Sequence, residues 1–306
     1  MMNLLKKRQM SKLTCLVDNN LSDDSEELYN HSLNLKSEHG LSIYIEFEGQ
    51  KWLIDTGLSD NFLINAKILG IDISDVDHLV LSHGHNDHTG GLQYFLKSNK
   101  KADIICSRKI LHTSYYSLRH GDIRDISTDN TLFNPDTAWR FKLVGDSLKV
   151  ADNVYIIYNK RDNYKRPDAN KYLKIGNLED DDFTHEISLV LCNVREGSAY
   201  LNIISPCSHN GVGNILESCI DFVSKSLEDE VSEIKVFPAL FVGGMHLPNN
   251  CESKEELREF AIRLAKDFPY TKFYTGHCTS LESYKEIKKT LNNRLSAFYT
   301  GKKIIF

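Results

Sequence analysis

A short segment near residue 80 brings together side chains that can bind metal ions. Three histidines and an aspartate, His83, His85, Asp87 and His88, follow the apolar run 79–81 almost without interruption. Imidazole nitrogens and carboxylate oxygens are donors that Zn²⁺, Mn²⁺ and Fe²⁺ accept. At a strand end His83 and His85 can turn toward one metal, while Asp87 and His88 come one turn later and can reach a second. The density of donors therefore predicts a metal site rather than four unrelated surface residues.

The segments around this motif predict strands that alternate with helices. The strand candidates are 13–17, 42–47, 51–55, 78–82, 103–106, 153–158, 187–193, 199–205, 235–242, 272–275 and 303–306. The helix candidates are 61–69, 214–227, 253–267 and 280–292. Ser253 and Glu256 have the spacing of a capping box. Because hairpins are mixed with strand–helix units, the pattern favours an α+β fold of two sheets covered by helices over one parallel sheet.

Composition and charge exclude several classes of protein. The chain has 306 residues, 41% of them hydrophobic and 26% charged, which is ordinary globular composition and excludes disorder. The formal net charge of −5 argues against a nucleic-acid partner. No apolar run approaches the roughly 20 residues that span a bilayer, so we expect no membrane partner. The seven cysteines have no framework spacing, and no signal-peptide segment follows the basic start, so we expect reduced thiols and a cytoplasmic protein.

The stretch 114–182 differs from the rest of the chain in its weak periodicity. It is rich in Asp, Asn, Arg and Tyr, and no obvious seam divides the chain elsewhere. We therefore expect one domain spanning 1–306, with an insertion or lid at about 114–182. The aromatic and cationic side chains that could face a substrate are Tyr115, Tyr116, Arg119, Trp139, Tyr158, Arg161, Tyr164 and Arg166. Arg161 and Arg166 are the candidates for binding a phosphate; alternatively, the segment only extends a sheet edge.

The motif His-x-His-x-Asp-His at residues 83–88 resembles the signature of the metallo-β-lactamase superfamily. The sequence Ile-Asp-Thr-Gly at 54–57 is similar to the first motif of the same family. The resemblance covers essentially the whole chain and implies an αββα sandwich, in which two mixed β-sheets are flanked by helices. It also places the metals at one edge of the two sheets.

Later motifs narrow the resemblance to one subgroup of that family. The stretches 39–42, 206–211, 243–247 and 275–279 appear in the order typical of the subgroup that contains archaeal 7,8-dihydropterin-6-methyl-4-(β-D-ribofuranosyl)aminobenzene-5′-phosphate synthase and many bacterial metal-dependent hydrolases. Two departures matter. Pro206 stands where the subgroup has glycine, and the Gly-Asp motif that commonly supplies a bridging aspartate is missing, with Gly-Gly-Met-His at 243–246 in a similar place.

The resemblance implies a role for each site residue. His83, His85 and His209 would hold one metal, and Asp87, His88 and His277 would hold the other. Asp87 would also accept a proton from the attacking water.

Several residues next to the expected ligands have alternative roles. Asp55 either orients a histidine ligand or only orders its own turn. His246 either binds a metal, contacts the substrate or supports a ligand, or it has no role in the site. Cys207 and Cys278 stand two and one residues from expected ligands. Either thiolate could bind a metal, but since adjacent residues in an extended segment point opposite ways, we expect both side chains to point away from the metals. His39 and His185 are expected to be structural.

These features predict an enzyme that uses metal ions to cleave a small molecule. The expected cofactors are two divalent metal ions. Zinc is the first choice, and manganese and iron are the alternatives. Such ions lower the pKa of a shared water and polarise the scissile bond. The leading hypothesis is a metal-dependent hydrolase that directs a metal-bound hydroxide at a phosphoester or cyclic ester, so the partner is a phosphorylated small molecule. The alternative is a dihydropterin-diphosphate arylamine transferase, a synthase whose metals hold the departing diphosphate. The oligomeric state is left open.

Overall fold

The computed structural model describes residues 10–20, 32–228 and 234–306. Within these ranges the strands form two seven-stranded sheets and one four-stranded sheet. The first sheet has, from edge to edge, β18 (Lys303–Ile305), β1 (Lys12–Val17), β2 (Ser42–Phe47), β3 (Gln50–Ile54), β4 (His78–Leu81), β5 (Asp103–Ser107) and β8 (Phe141–Val144).

The second large sheet is built mainly from the later part of the chain. Its order is β17 (Leu295–Ala297), β16 (Lys272–Thr275), β15 (Lys235–Val242), β14 (Ser198–Ile204), β13 (Ile187–Arg195), β10 (Val154–Tyr158) and β9 (Leu148–Ala151). The small sheet has the order β12 (Glu179–Asp180), β11 (Leu173–Ile175), β6 (Tyr115–Ser117) and β7 (Arg124–Asp125).

Helices cover the outer faces of the two large sheets. The α-helices of the described residues are α1 (Asn61–Ile68), α2 (Asn86–Thr89), α3 (Leu92–Ser98), α4 (Val212–Glu228), α5 (Lys254–Asp267) and α6 (Leu281–Leu291). At the start of α5, Ser253 Oγ accepts from the Glu256 backbone N–H and Glu256 Oε2 accepts from the Ser253 N–H, which confirms the capping box. None of these helices combines the length and apolar character needed to cross a bilayer.

Three layers of apolar side chains hold the sandwich together. Between the two large sheets, Ile43 and Trp52 of the first pack with Ile156 and Leu189 of the second. A second core lies between the second sheet and helices α4, α5 and α6, and a third lies between the first sheet and helices α1 and α3. This order of layers confirms the α+β sandwich of two mixed sheets flanked by helices.

The stretch 114–182 is not a single insertion. Strands β8, β9 and β10 lie inside it, yet β8 pairs with β5 in the first sheet and β10 pairs with β13 in the second. Only the small sheet stands apart from the two large ones. The prediction of an insertion or lid over the whole of 114–182 is therefore wrong, since β8 and β9 extend the edges of the two large sheets, the alternative given above. Both strands are short and partly exposed and gave no clear periodic signal.

The C-terminal strand ties the end of the chain to its beginning. Strand β18 pairs antiparallel with β1, where Leu13 is opposite Ile304. Residues beyond 234 therefore contribute strands to both large sheets. This arrangement supports the proposal that the chain forms one domain.

Candidate metal centre

The ends of strands from both large sheets meet at one place in the molecule. Asp55 follows β3 and His83 follows β4 in the first sheet, while His209, His246 and His277 follow β14, β15 and β16 in the second. These strands run parallel within each sheet, so their carboxyl ends point the same way. The ring centroids of His83 and His209 lie 5.0 Å apart, which shows that the two edges converge.

The first donor group consists of His83, His85 and His209. The ligand atoms of these three buried side chains lie within 4.8 Å of one another. His83 Nε2 lies 3.1 Å from His85 Nδ1. In the part of the chain that the structure describes, His209 Nε2 is buried and has no hydrogen-bond partner. Since an unpaired buried polar atom costs about 1–3 kcal/mol, this nitrogen fits a position that a metal ion would fill.

The second donor group consists of Asp87, His88 and His277. Asp87 Oδ2 lies 3.4 Å from His277 Nε2 and 3.7 Å from His88 Nε2. The two Nε2 atoms of the histidines lie 3.0 Å apart. The two groups are adjacent, because the ring centroids of His83 and His88 are separated by 4.2 Å.

Hydrogen bonds on the opposite ring nitrogens fix which nitrogen of the second group faces inward. His88 Nδ1 lies 2.6 Å from Asp55 Oδ2. His277 Nδ1 lies 3.1 Å from Asn19 Oδ1. Both partners are acceptors, so in the neutral rings the Nδ1 atoms carry the protons and both Nε2 atoms present lone pairs. These two nitrogens lie 3.0 Å apart and need a cation between them. Although burial opposes its protonation, Asp87 raises the pKa of His277 to about 9. The cation is therefore either the proton of His277 or a divalent metal ion that displaces this proton.

Hydrogen bonds also fix which ring nitrogen of His83 and His209 faces inward in the first donor group. Ser82 Oγ donates to Asp55 Oδ2 at 2.6 Å, so it can accept from His83 Nδ1, which lies 2.8 Å away. His209 Nδ1 lies 3.2 Å from Asn170 Oδ1. These contacts leave the Nε2 atoms of both rings free to bind a metal ion.

Burial determines the charge of the first donor group. Burial lowers the pKa of His85 to about 3. Burial and then the neighbouring imidazoles hold the pKa values of His83 and His209 well below their ordinary range. His277 differs: although burial opposes its protonation, the contact with Asp87 raises its pKa to about 9. The first group is therefore a cluster of neutral imidazoles, the form in which histidine binds metal ions.

The backbone around the centre adopts conformations that few sequences allow. Asp55, His246 and His277 have φ values of 54°, 51° and 49°, in the left-handed region that is unfavourable for residues with a side chain. At Gly84, between two histidines of the first group, an added Cβ would lie 2.2 Å from the ring of Tyr115. Only glycine lets that ring pack against the motif.

The cysteines next to the donors lie closer to the centre than the sequence suggested. Cys207 Sγ lies within 4.8 Å of donor atoms of His83 and His88. It is also 3.3 Å from Cys278 Sγ and 3.4 Å from His246 Nδ1. The expectation that the thiol points away was wrong for Cys207. This residue stands two positions before His209, and residues two apart in an extended segment share a face, so alternation did not support that expectation.

Several residues at the centre have no signal in the local motif. The Asp18 carboxylate accepts from the His277 backbone N–H at 2.8 Å, and Glu186 accepts from the His209 N–H at 2.8 Å. His39 was expected to be structural, but its Nε2 lies 3.3 Å from Asp87 Oδ2. For Asp18, the sequence contains one indication of a role at the centre: this residue begins a run of polar residues at 18–20, directly after a buried strand.

His185 is fully enclosed beside the first donor group. Its Nδ1 accepts from the Gly84 N–H at 3.2 Å, and its Nε2 lies 3.0 Å from Asp181 Oδ2. Both ring nitrogens are therefore used in holding the motif. This pattern of contacts agrees with a structural role.

A cavity of about 740 Å³ opens onto both donor groups. The small sheet and the segment before β11 supply one wall, which includes Ser117, Arg119, His120, Arg124, Asp125, Ala169 and Tyr172. Arg161 and Arg166 do not line this cavity, contrary to the prediction. Arg161 pairs with Asp221, and Arg166 lies 3.3 Å from Asp162.

The sequence profile of the metallo-beta-lactamase superfamily matches residues 37–177 of the chain. The chain is 28% identical, over 285 residues, to 7,8-dihydropterin-6-methyl-4-(beta-D-ribofuranosyl)-aminobenzene-5′-phosphate synthase of Methanocaldococcus jannaschii. That alignment covers 88% of this chain and 90% of the relative.

Solved structures show the same fold. The crystal structure of Tm1679, a metal-dependent hydrolase of the beta-lactamase superfamily, matches with a TM-score of 0.70 and 24% identity, covering 97% of this chain and 98% of that one. The metallo-beta-lactamase fold protein YhfI from Bacillus subtilis matches with a TM-score of 0.54 and 11% identity, covering 97% of this chain and 100% of that one.

Proposed function

We propose that the chain is a metal-dependent hydrolase of a small phosphoester or cyclic ester, a proposal supported by the match of residues 37–177 to the metallo-beta-lactamase superfamily profile. One observation supports this proposal above the others. Two adjacent groups of donors converge on one cavity, and among the described residues the inward-facing Nε2 of His209 is buried without a hydrogen-bond partner.

The residues present fit two divalent metal ions. His83, His85 and His209 would hold one, and Asp87, His88 and His277 the other. Nitrogen donors with one carboxylate favour zinc, with manganese and iron as alternatives. When bound, such ions would supply a more acidic water and polarise the scissile bond.

Asp87 is the candidate for proton transfer. It is the one carboxylate in the two donor groups, and 15% of its side chain is exposed to the cavity. The imidazoles of His88 and His277 lie close to its Oδ2. Although burial opposes its ionisation, these imidazoles hold the pKa of Asp87 well below its ordinary value. Asp87 is therefore ionised and can accept a hydrogen bond or a proton from the attacking water.

The cavity wall supports an anionic substrate. Arg119 and Arg124 line it together with His120. In the described ranges, no carboxylate forms an ion pair with either arginine. Guanidinium groups without a partner suit the oxygens of a phosphate. The phosphate of the substrate would then lie on this wall while the scissile bond faces the donors.

A transferase at the same site is the second candidate. It is supported by the 28% identity that extends over 88% of the chain to a protein named as a synthase of a dihydropterin-linked 5′-phosphate. In that reaction the metal ions held by the donor groups would bind the departing diphosphate. The two candidates differ in their products, since a hydrolase needs no acceptor and a transferase releases diphosphate only when an arylamine is supplied.

The location is proposed to be cytoplasmic. All seven cysteines are free, and two of them lie 3.3 Å apart without being bonded. A reducing compartment keeps thiols in that state.

The function can be tested on the zinc-loaded protein with a panel of phosphodiesters, cyclic phosphoesters and lactones. We expect hydrolysis that disappears on metal removal and returns on reloading. Asp87→Asn should lower kcat by about 10²–10⁴-fold, while the surface control Asp136→Asn should not. Equal activity of the apo and loaded proteins, or of Asp87→Asn and the native chain, would contradict the proposal.

A further inference from the structure

The sulfur of Cys207 occupies a position between the two donor groups. Its Sγ lies within 4.8 Å of donor atoms of His83, from the first group, and of His88, from the second. The Nδ1 atoms of both rings are already bonded, to Ser82 and Asp55 respectively, so the atoms facing the sulfur are the Nε2 atoms. Cys207 itself is buried.

These separations suit a shared metal ligand. Zinc binds imidazole nitrogen at about 2.0–2.1 Å and thiolate sulfur at about 2.3 Å, so two ligands of one ion can be roughly 4 Å apart. Each donor group supplies three ligands, and a tetrahedral ion takes four. A sulfur within reach of both groups can complete the coordination of either ion.

The neighbours of Cys207 hold its sulfur in place. Cys278 Sγ lies 3.3 Å away, and this second sulfur accepts from the His246 backbone N–H at 3.2 Å. The His246 ring approaches from another side, with its Nδ1 3.4 Å from Cys207 Sγ. His246 in turn packs on His209, with ring centroids 4.1 Å apart.

We propose that Cys207 is an additional ligand of the metal centre and supplies a thiolate between the two donor groups. The inference rests on the proposed function only in requiring that the donor groups bind metal. On binding, the S–H bond breaks, a sulfur–metal bond forms and the proton leaves to solvent. His246 and Cys278 contact this sulfur, and the proposal assigns neither of them as a ligand. Because thiolate is a soft donor, the centre should prefer zinc, cobalt or iron to manganese or magnesium.

The test uses the apo protein loaded with cobalt(II), which gives a near-ultraviolet sulfur-to-metal charge-transfer band only when a thiolate is bound. The native chain should show the band. Cys207→Ser should abolish it and weaken cobalt binding at least about tenfold. Cys207→Asp should restore cobalt binding without the band. Two variants serve as matched controls, and both should keep the band. Cys278→Ser removes the thiol that lies beside Cys207 Sγ. Cys219→Ser removes a thiol in the core against α4.

Three outcomes would overturn the inference. They are a fully loaded native protein without the band, a band unchanged in Cys207→Ser, and a band lost in Cys278→Ser but kept in Cys207→Ser. Circular dichroism of each variant checks that it is folded. A native protein that shows the band but hydrolyses none of the esters supports the ligand and contradicts only the proposed function.

Discussion

The carboxylate of Asp55 and the imidazole of His88 are joined by a contact of 2.6 Å between Oδ2 and Nδ1, and both side chains are fully buried. The contact orients the His88 ring so that Nε2 faces the donors of the second group. Asp55 also accepts from the Ser82 backbone N–H at 2.7 Å and so connects the ends of β3 and β4.

Replacing Asp55 with Asn should weaken metal binding without unfolding the chain. Asn tolerates the left-handed backbone of position 55, but its amide cannot act as a charged acceptor for His88 Nδ1 and Ser82. We expect a loss of about 10–100-fold in metal affinity, measured by competition with a chelating dye. The exposed control Asp152→Asn should bind metal like the native chain. Unchanged affinity in Asp55→Asn would show that the contact does not support a metal ligand.

Removing the arginines on the cavity wall should raise KM more than it lowers kcat. We expect Arg119→Ala or Arg124→Ala to raise KM for a phosphorylated substrate by about tenfold, with little change in metal content. The matched control is Arg161→Ala, because Arg161 pairs with Asp221 and does not line the cavity. Steady-state kinetics of the three variants would decide. If Arg161→Ala raised KM as much as the other two variants, the assignment of Arg119 and Arg124 to phosphate binding would be contradicted.

The glycine inside the motif should be hard to replace. An alanine at position 84 places a Cβ 2.2 Å from the Tyr115 ring, so either the ring or the motif must move. We expect Gly84→Ala to lower the free energy of unfolding by about 1–3 kcal/mol and to weaken metal binding. Gly49→Ala is a suitable comparison for added volume, because open space surrounds that position. Chemical denaturation measures both, and equal stability of Gly84→Ala and the native chain would contradict the packing argument.

The pairing of the two chain ends predicts cooperative unfolding. Ile304 of β18 is buried in the core between the sheets and lies opposite Leu13 of β1. Ile304→Ala should lower the free energy of unfolding by about 2–5 kcal/mol. In the native chain, fluorescence of the buried Trp52 and the far-ultraviolet signal of the helices should change in one transition. Two separate transitions would contradict the single-domain proposal.

The local part of the candidate centre could be predicted from sequence because its donors are contiguous. His83, His85, Asp87 and His88 lie in one short loop and helix, so their types and spacing already indicated the chemistry. The resemblance to a family added His209 and His277, and the structure brings both to the same place.

The remaining features depend on contacts between distant parts of the chain. Asp18 contacts the His277 backbone although 259 positions separate them, and no local pattern reports such a pairing. The proximity of Cys207 to His83 and His88 likewise depends on the fold, which brings the segment after β14 to the segment after β4. The wrong choice of Arg161 and Arg166 had a similar cause, since their ion pairs form with side chains that only the fold brings near.

Metal stoichiometry tests the central claim most directly. The apo protein would be loaded with zinc, freed of excess metal and analysed for zinc ions per chain. Two variants would be treated in the same way: His209→Ala removes a donor of the first group, and His277→Ala removes a donor of the second. The account predicts two ions in the native chain and about one in each variant. Native protein that retains no zinc, or variants that both retain two ions, would contradict it.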